Sequence, residues 1–171
     1  MKIERAHDAD IPAILVLQKL AFLTEAEIYG DYSIPPLTQT EQSLRAEFGR
    51  AIFLKAMEAG ELVGSVRGCS FGGTCHIARL AVSPDHRRRG IGAALMRAIE
   101  SAFGEASRFE LFTGERSEGN IRLYRALGYT EFKSERLSDA VLLVFMEKAA
   151  PRSSVAGRVS GRSLPHEPPT E

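Results

Sequence analysis

Residues 80–92, Leu-Ala-Val-Ser-Pro-Asp-His-Arg-Arg-Arg-Gly-Ile-Gly, constrain the fold most, because the chain changes character three times within them. An apolar run ends at Val82, and Ser-Pro-Asp breaks it, since proline cannot continue a strand ladder. Three arginines and two glycines follow, and apolar residues then recur at helical spacing from Ile91 to Ala102. The segment predicts a strand, a turn, a basic loop and the beginning of a helix.

Such a junction between a loop and a helix is suited to binding an anion. The first N–H groups of a helix have no intrahelical partner, and the helix dipole places partial positive charge there. Gly90 and Gly92 allow a phosphate to approach the backbone, and Arg87, Arg88 and Arg89 add fixed charge. The sequence therefore predicts a pyrophosphate site at this loop.

Two common phosphate-binding motifs do not match this loop. A Walker loop requires Gly-Lys-Ser/Thr, which is absent here. A Rossmann fingerprint places its glycines directly after the strand, whereas the loop from Val82 to Gly90 is long and Leu95 occupies the third glycine position. The arginines are also compatible with a solvated charge run or a nucleic-acid patch, but the glycines that follow them favour phosphate.

Two motifs together resemble the GNAT N-acetyltransferase family. R-x-x-G-x-G at 87–92, after L-A-V at 80–82, resembles the acetyl-CoA-binding signature of that family. N-x-x-x-Y-x-x-x-G-Y at 120–129 resembles its C-terminal motif, and it follows the first motif by about one helix and one strand, as in the family. The resemblance covers roughly residues 2–148 and implies the GNAT fold and acetyl-CoA as cosubstrate, with no metal.

The resemblance also implies how acetyl-CoA binds. The main chain of Leu80 and Val82 is expected to hold the pantetheine arm as though it were an added strand, with amides near Val82 facing the thioester carbonyl. The predicted cofactor-binding residues are Leu80, Ala81, Val82, Arg87, Arg88, Arg89, Gly90, Ile91, Gly92, Ala93 and Asn120.

Tyr124 is the predicted general acid. Acetyl transfer from a thioester to an amine expels a thiolate, and a thiol pKa of about 8.5 beside a phenol pKa of about 10 allows a tyrosine to supply the proton near neutral pH. The alternative for Tyr124 is core packing, because Ile121, Tyr124 and Leu127 form an apolar stripe. Asn120 either caps its helix or binds the cofactor.

His76 is the predicted general base, which is needed because an alkyl amine arrives protonated. Alternation along the strand places His76 on the face of Ala78, Leu80 and Val82. It matches the first of two histidines in the aralkylamine acetyltransferases, and Ala78 stands where the second would be. A hydrogen-bonded or exposed histidine opposite Cys69 is an equal alternative. Other candidates are ordered water and three carboxylates: Glu25, Glu27 and Glu115.

The acceptor pocket is predicted in residues 25–37, an irregular stretch with aromatic residues and prolines. Tyr29 and Tyr32 are expected to line an aromatic wall, and Glu27 or Asp31 to attract a cationic amine. The alternative is a loop that packs its own aromatics. A small-molecule amine is the expected acceptor; the alternatives are a protein N-terminus or lysine, and a non-catalytic acyl-CoA-binding sensor.

Composition indicates a globular protein whose charges produce no strong net electrostatic field. The chain has 171 residues, and 22 basic and 22 acidic residues cancel, so neither nucleic acid nor a membrane is an expected partner. Two cysteines and a polar start without an apolar h-region predict a cytoplasmic location. The glycine hairpin at 71–74 places Cys69 and Cys75 on opposite faces, which excludes a disulfide between them.

The periodicity predicts the order β-α-α-β-β-β-α-β-α-β-β, a mixed α/β fold with helices on both faces of the sheet. The implied fold has a mostly antiparallel sheet of about seven strands and about four helices. Residues 1–148 form the acetyltransferase domain. Residues 149–171 are expected to be a disordered tail, because apolar residues are few and prolines frequent from Pro151 onward. A homodimer is compatible with the resemblance, but no residue indicates one.

Overall fold

A computed structural model describes residues 1–151. The predicted tail lies outside these residues from position 152, and its first residue, Ala149, belongs to the last strand. The elements are β1 Lys2–Arg5, α1 Ile11–Tyr29, α2 Pro35–Thr38, α3 Glu41–Phe48, β2 Ile52–Glu58, β3 Glu61–Phe71, β4 Thr74–Val82, α4 Ile91–Ala102, β5 Arg108–Gly114, α5 Glu118–Ala126, β6 Thr130–Arg136 and β7 Leu142–Ala149. None of the helices in this part of the chain is long and apolar enough to cross a bilayer.

The seven strands form one sheet in the order β1-β2-β3-β4-β5-β7-β6. Every neighbouring pair is antiparallel except β4 and β5, which run parallel because α4 connects them across one face. The mixed α/β class, the strand number and the predicted order of elements are confirmed. The structure adds the short helix α2, since Pro35 and Pro36 begin a single helical turn.

The glycine hairpin between β3 and β4 is confirmed in register. Phe71 pairs with Thr74, and Gly72 and Gly73 both have positive φ angles, of 57° and 79°, which the tight turn requires. Cys69 lies opposite His76 and is exposed, whereas Cys75 is buried, and both are free thiols.

A β-bulge divides β4 into two parts. Arg79 has a φ of 53°, and Arg79 and Leu80 together oppose Val66, because the register with β3 shifts by one residue there. Pairing of β4 with β5 covers only residues 74–76, whereas β5 continues along β7 to Gly114. Beyond His76 the two parallel strands therefore separate, and a gap opens between them.

The bulge overturns the predicted face of His76. Before the bulge His76 and Ala78 share the face of Ala81, which packs against α1. Leu80 and Val82 point to the other face, toward Gly92 at the start of α4. The expected alternation was wrong because one extra residue exchanges the two faces of a strand.

Helix α1 includes the first five residues, 25–29, of the stretch 25–37 that was expected to be irregular. It ends at Tyr29, and Gly30 closes it in the left-handed conformation, with φ 62°. Tyr29 is 8% exposed and anchors this last turn in the interior. Residues 25–29 are therefore helical because burial of one helix face continues through Ala26 to Tyr29.

Glycines on β3 bring α4 close to the sheet. A Cβ at Gly64 would lie 2.8 Å from Leu95 Cδ1 and 3.0 Å from Ile91 Cγ2, and one at Gly68 would lie 2.9 Å from Phe103 Cε2. Ile91 and Leu95 are 3% and 0% exposed. The close approach of α4 to the sheet therefore depends on the absence of a side chain at Gly64 and at Gly68.

Gly64→Ala is expected to lower the free energy of unfolding by about 1–3 kcal/mol, because overpacking forces α4 away from the sheet. Urea denaturation followed by circular dichroism measures the change. Gly119→Ala is the matched control, since no atom lies within 4 Å of its Cβ position in α5, and it should leave stability equal or higher. Equal stability of Gly64→Ala and the wild type would contradict this packing account.

Candidate active site

Two clefts meet on one side of the sheet. The loop cleft, about 410 Å³, lies between α1, the loop after β4 and the N-termini of α4 and α5. The gap cleft, about 210 Å³, lies where β4 and β5 separate and is covered by α1 and α2. Four residues line both clefts: Phe22, Glu25, Leu80 and Asn120. A molecule held in the loop cleft can therefore reach one held in the gap cleft.

Most of the predicted cofactor-binding residues line the loop cleft: Leu80, Val82, Arg87, Arg88, Gly90, Ile91, Gly92, Ala93 and Asn120. The side chains of Ala81 and Arg89 do not. Ala81 is 1% exposed and packs against α1, whereas Arg89 is exposed and pairs with Glu58 at 2.8 Å. The side chain of Ala81 faces away from the loop cleft because of the β-bulge. The side chain of Arg89 points away from it because the carboxylate of Glu58, on β2, attracts the guanidinium.

The N-terminus of α4 supplies backbone donors to the loop cleft. Gly90 is the N-cap residue, with φ 80°, and the first intrahelical bond runs from Ala94 N–H to the Gly90 carbonyl at 3.0 Å. The N–H groups of Ile91, Gly92 and Ala93 therefore have no partner within the helix, and all three residues line the cleft. This geometry agrees with the anion site that the glycines and arginines predicted.

Gly92 provides the close approach. A Cβ there would lie 3.4 Å from Leu123 Cδ2, 3.7 Å from Leu80 Cδ2 and 3.8 Å from Val82 Cγ2, so a side chain would occupy the space between α4, α5 and β4. Because Gly92 has no such side chain, the floor of the loop cleft remains open.

Arg87 connects the loop to α1. Its guanidinium donates to Thr24 Oγ1 and to the carbonyl of Ala21, both at 2.8 Å. Arg87 also lines the loop cleft. Arg87 therefore orients two walls of the cleft in addition to supplying positive charge.

Tyr124 lies in α5 and lines the gap cleft. The residue is 7% exposed, and its ring packs edge-on against Tyr129, with centroids 6.1 Å apart. Its hydroxyl makes no side-chain hydrogen bond within residues 1–151. Burial raises the pKa of Tyr124, and the nearby Glu25 carboxylate raises it further. The phenol therefore stays protonated at neutral pH and has a proton to donate.

Glu25 occupies the wall that the two clefts share. Its carboxylate accepts hydrogen bonds from Ser117 Oγ and, at 3.3 Å, from Asn120 Nδ2. Asn120 also donates to Thr113 Oγ1 at 3.4 Å. The capping alternative for Asn120 was wrong, because Ser117 is the N-cap residue of α5 and Asn120 lies inside the helix. Asn120 instead orients Glu25 at the junction.

Tyr29 closes the inner end of the gap cleft. Its hydroxyl accepts a hydrogen bond from Arg116 N–H at 2.8 Å and lies 3.4 Å from Ser117 Oγ. Only a glycine fits beside it, since a Cβ at Gly114 would lie 2.0 Å from the Tyr29 hydroxyl. Tyr29 therefore connects α1 to the segment between β5 and α5.

Several predicted site residues lie outside both clefts. Glu27 is exposed on the opposite side of α1, Tyr32 is 60% exposed, and Glu115 lies in a separate surface cleft between α5 and β6. His76 lies beside Glu110 where β4 and β5 are still paired, before the gap opens. Of the acceptor side chains predicted by name, Glu27, Tyr29, Asp31 and Tyr32, only Tyr29 lines the gap cleft.

The predicted acceptor stretch, residues 25–37, contributes Glu25, Tyr29 and residues 34–36 to the gap cleft, whereas Phe22, Arg79 and the apolar residues near β7 were not predicted there. The helical spacing of Phe22, Glu25 and Tyr29 was a usable signal, because positions i, i+3 and i+7 share a face. No pattern in the sequence marks Arg79 as a residue of the cleft, because its position there depends on the β-bulge. Among residues 1–151, no three His, Cys, Asp or Glu side chains are grouped for a metal ion.

Comparison with known proteins agrees with this geometry. The acetyltransferase (GNAT) family profile matches residues 16–129, which include α1, the loop cleft and α5. The chain belongs to the acetyltransferase (GNAT) family. The family and its fold, both predicted from the two motifs, are confirmed. Acetyl-CoA-dependent acetyltransferase, the predicted enzyme class, is the class of this family.

Proteins similar to this chain include the following three. The ribosomal-protein-S18-alanine N-acetyltransferase of Escherichia coli superposes with a TM-score of 0.74 at 18% identity, over 91% of this chain and 97% of that one. A phosphinothricin acetyltransferase from Sinorhizobium meliloti, solved with AcCoA, superposes with a TM-score of 0.71 at 17% identity, over 94% of each chain. UPF0157 protein YqkA of Bacillus subtilis (strain 168) is 30% identical over 133 residues, 76% of this chain. That match spans 37% of the length of YqkA.

Gly92→Asp is expected to weaken acetyl-CoA binding by about tenfold or more, because it places bulk and negative charge where a phosphate approaches the backbone. Isothermal titration calorimetry measures the affinity. Gly49→Asp, at the end of α3 and outside both clefts, is the matched charge control and should bind as the wild type does. Unchanged affinity in Gly92→Asp would show that acetyl-CoA does not occupy the loop cleft.

Proposed function

We propose that this chain transfers the acetyl group of acetyl-CoA directly to the amine of a small molecule. The observation that carries the proposal is the meeting of the two clefts at Glu25, with Tyr124 in the wall of the gap cleft. One cleft has the donors that a pyrophosphate requires, and the other is small and mostly apolar. A carboxylate lies where the two clefts meet, and a protonated phenol near that carboxylate lies in the wall of the gap cleft.

The loop cleft fits acetyl-CoA. The free N–H groups of α4 and the side chains of Arg87 and Arg88 suit the pyrophosphate. Between His76 and Val82, β4 pairs on its β5 side with no other strand of the described part of the chain, so its backbone groups can receive the pantetheine amides. When bound, acetyl-CoA supplies an activated acetyl group at the gap between β4 and β5.

Glu25 is assigned as the general base in place of His76. An alkyl ammonium has a pKa on the order of 10, so the acceptor must lose a proton before its nitrogen can attack. The Glu25 carboxylate attracts the ammonium, and the hydrogen bonds from Ser117 and Asn120 hold it toward the clefts. His76 lies in the paired part of β4, outside the lining of either cleft.

Tyr124 is assigned as the acid that protonates the departing sulfur. Its phenol is neutral at physiological pH, as an ordinary tyrosine is, and burial raises its pKa further. Its hydroxyl is not engaged by another side chain of residues 1–151. Direct transfer is favoured because neither cysteine lines a cleft. Burial raises the pKa of the Cys75 thiol to about 12, so this thiol is a poor nucleophile near neutral pH.

Glu25→Gln is expected to lower kcat/KM by about 100-fold or more, because the amide cannot accept the ammonium proton but keeps the shape of the side chain. Thiol release from acetyl-CoA with a panel of primary amines measures the rate. Glu27→Gln, two residues along the same helix and outside both clefts, is the matched control and should retain full activity. Equal losses in the two variants would remove Glu25 from the mechanism.

Tyr124→Phe is expected to lower kcat by about 100-fold and to leave acetyl-CoA affinity nearly unchanged, because only the hydroxyl proton is lost. Turnover and calorimetric binding are measured on the same preparation, with the exposed Tyr32→Phe as control. Full turnover in Tyr124→Phe would exclude the acid role. Acetyl-CoA binding without amine-dependent thiol release in the wild type would instead indicate an acyl-CoA sensor.

A further inference from the structure

Arg79 is a cation without a partner in the wall of the gap cleft. Its Nε is buried and has no hydrogen-bond partner, and the described part of the chain offers the guanidinium no ion pair. Burial lowers the pKa of Arg79, and the charge of Glu47 only opposes this effect. The side chain is half-buried, and a partly buried guanidinium without a partner is costly, so the folded protein retains this charge at the expense of stability.

The neighbouring charges are already engaged with one another. Arg67 is 5% exposed and pairs with Glu47 at 2.7 Å, and it donates to Gln18 Oε1 at 2.9 Å and to Gln39 Oε1 at 3.2 Å. Gln39 also donates to Glu47 at 2.6 Å. The carboxylate of Glu47 is thus the ion-pair partner of Arg67. Together, Arg67, Glu47 and Arg79 carry one excess positive charge.

The two charged groups of the gap cleft have opposite signs. Arg79 and Glu25 are the ionisable acid–base side chains that line it apart from its tyrosines, and most other lining residues are apolar. Glu25 belongs to the junction with the loop cleft, whereas Arg79 does not line the loop cleft. A ligand in the gap cleft therefore meets a carboxylate at the junction and a guanidinium away from it.

The backbone at Arg79 is held in a conformation that most residues avoid. Its φ of 53° is in the left-handed region, where a long side chain is strained. Neither glycine nor asparagine occupies the position, although either would relieve the strain. The structure thus keeps an arginine where packing and backbone preference both oppose it.

We propose that the acceptor of this enzyme carries a carboxylate as well as an amine, and that Arg79 binds this carboxylate. This inference rests on the proposed acetyl transfer and adds the class of acceptor: a small apolar amino acid, with its amine at Glu25. A guanidinium binds a carboxylate through two parallel hydrogen bonds, and the guanidinium of Arg79 lines the gap cleft without a partner in the described part of the chain. A monoanionic carboxylate balances the single excess charge.

Pairs of acceptors that differ by the carboxylate test the proposal. Thiol release from acetyl-CoA is measured with leucine against 3-methylbutylamine and with phenylalanine against 2-phenylethylamine. The wild type is expected to favour the amino acids in kcat/KM by roughly 10- to 100-fold, as one charge-assisted contact allows. Equal use of both members of each pair would overturn the proposal while leaving acetyl transfer intact.

Substitutions of Arg79 test whether this residue causes the preference for amino acids over simple amines. Arg79→Asn removes the charge and tolerates the left-handed backbone, so it should raise KM for the amino acids about tenfold or more and spare the amines. Arg79→Lys should retain part of the preference. Arg50→Asn, an exposed arginine beyond α3 that lines neither cleft, is the control. A preference unchanged in Arg79→Asn would place the carboxylate elsewhere and overturn the assignment.

A binding measurement separates this inference from the proposed function. Calorimetry compares 3-phenylpropionate with its neutral amide, and neither molecule has an amine to acetylate. Preferential binding of the acid that is lost in Arg79→Asn supports the carboxylate site even if no amine in the panel is acetylated. Equal binding of acid and amide, or no binding of the acid, overturns it.

Discussion

The β-bulge at Arg79 is the feature on which both clefts depend. One extra residue in β4 shifts the register with β3, and β4 no longer pairs with β5 beyond His76. The gap cleft opens at this point, and the backbone of the second half of β4 faces space instead of a neighbouring strand. The bulge also turns Leu80 and Val82 toward Gly92, so the strand and the N-terminus of α4 form one surface.

Helix α1 is the second support of the site, because polar contacts attach it to both sides of the junction. Arg87 holds it to the loop after β4 through Thr24 and a helix carbonyl. Tyr29 holds it to the segment that leads into α5. Glu25 lies between these two attachments, and its carboxylate accepts hydrogen bonds from Ser117 and Asn120. The proposed base is therefore positioned by contacts with both clefts, which favours transfer from one cleft to the other.

Local patterns allowed the architecture and the loop cleft to be predicted, whereas the gap cleft required the tertiary structure. Two adjacent glycines specify the hairpin, and the glycines at 90 and 92 specify the start of α4, because each meets a local backbone requirement. The bulge at Arg79 has no such marker, so alternation misplaced His76. The end of α1 was missed because the burial of Tyr29 depends on distant residues such as Gly114. The face of His76 and the helical conformation of residues 25–29 were therefore the features that the sequence interpretation missed.

Hydrogen–deuterium exchange of the backbone amides with and without acetyl-CoA tests the central claim most directly. The account predicts that acetyl-CoA slows exchange in residues 77–82 of β4 and in residues 90–93 at the start of α4, because these amides line the proposed site. Exchange in β1 and β6, at the two edges of the sheet, should not change. Unchanged exchange in β4 and α4 at a saturating concentration of acetyl-CoA, or protection confined to another surface, would contradict the account.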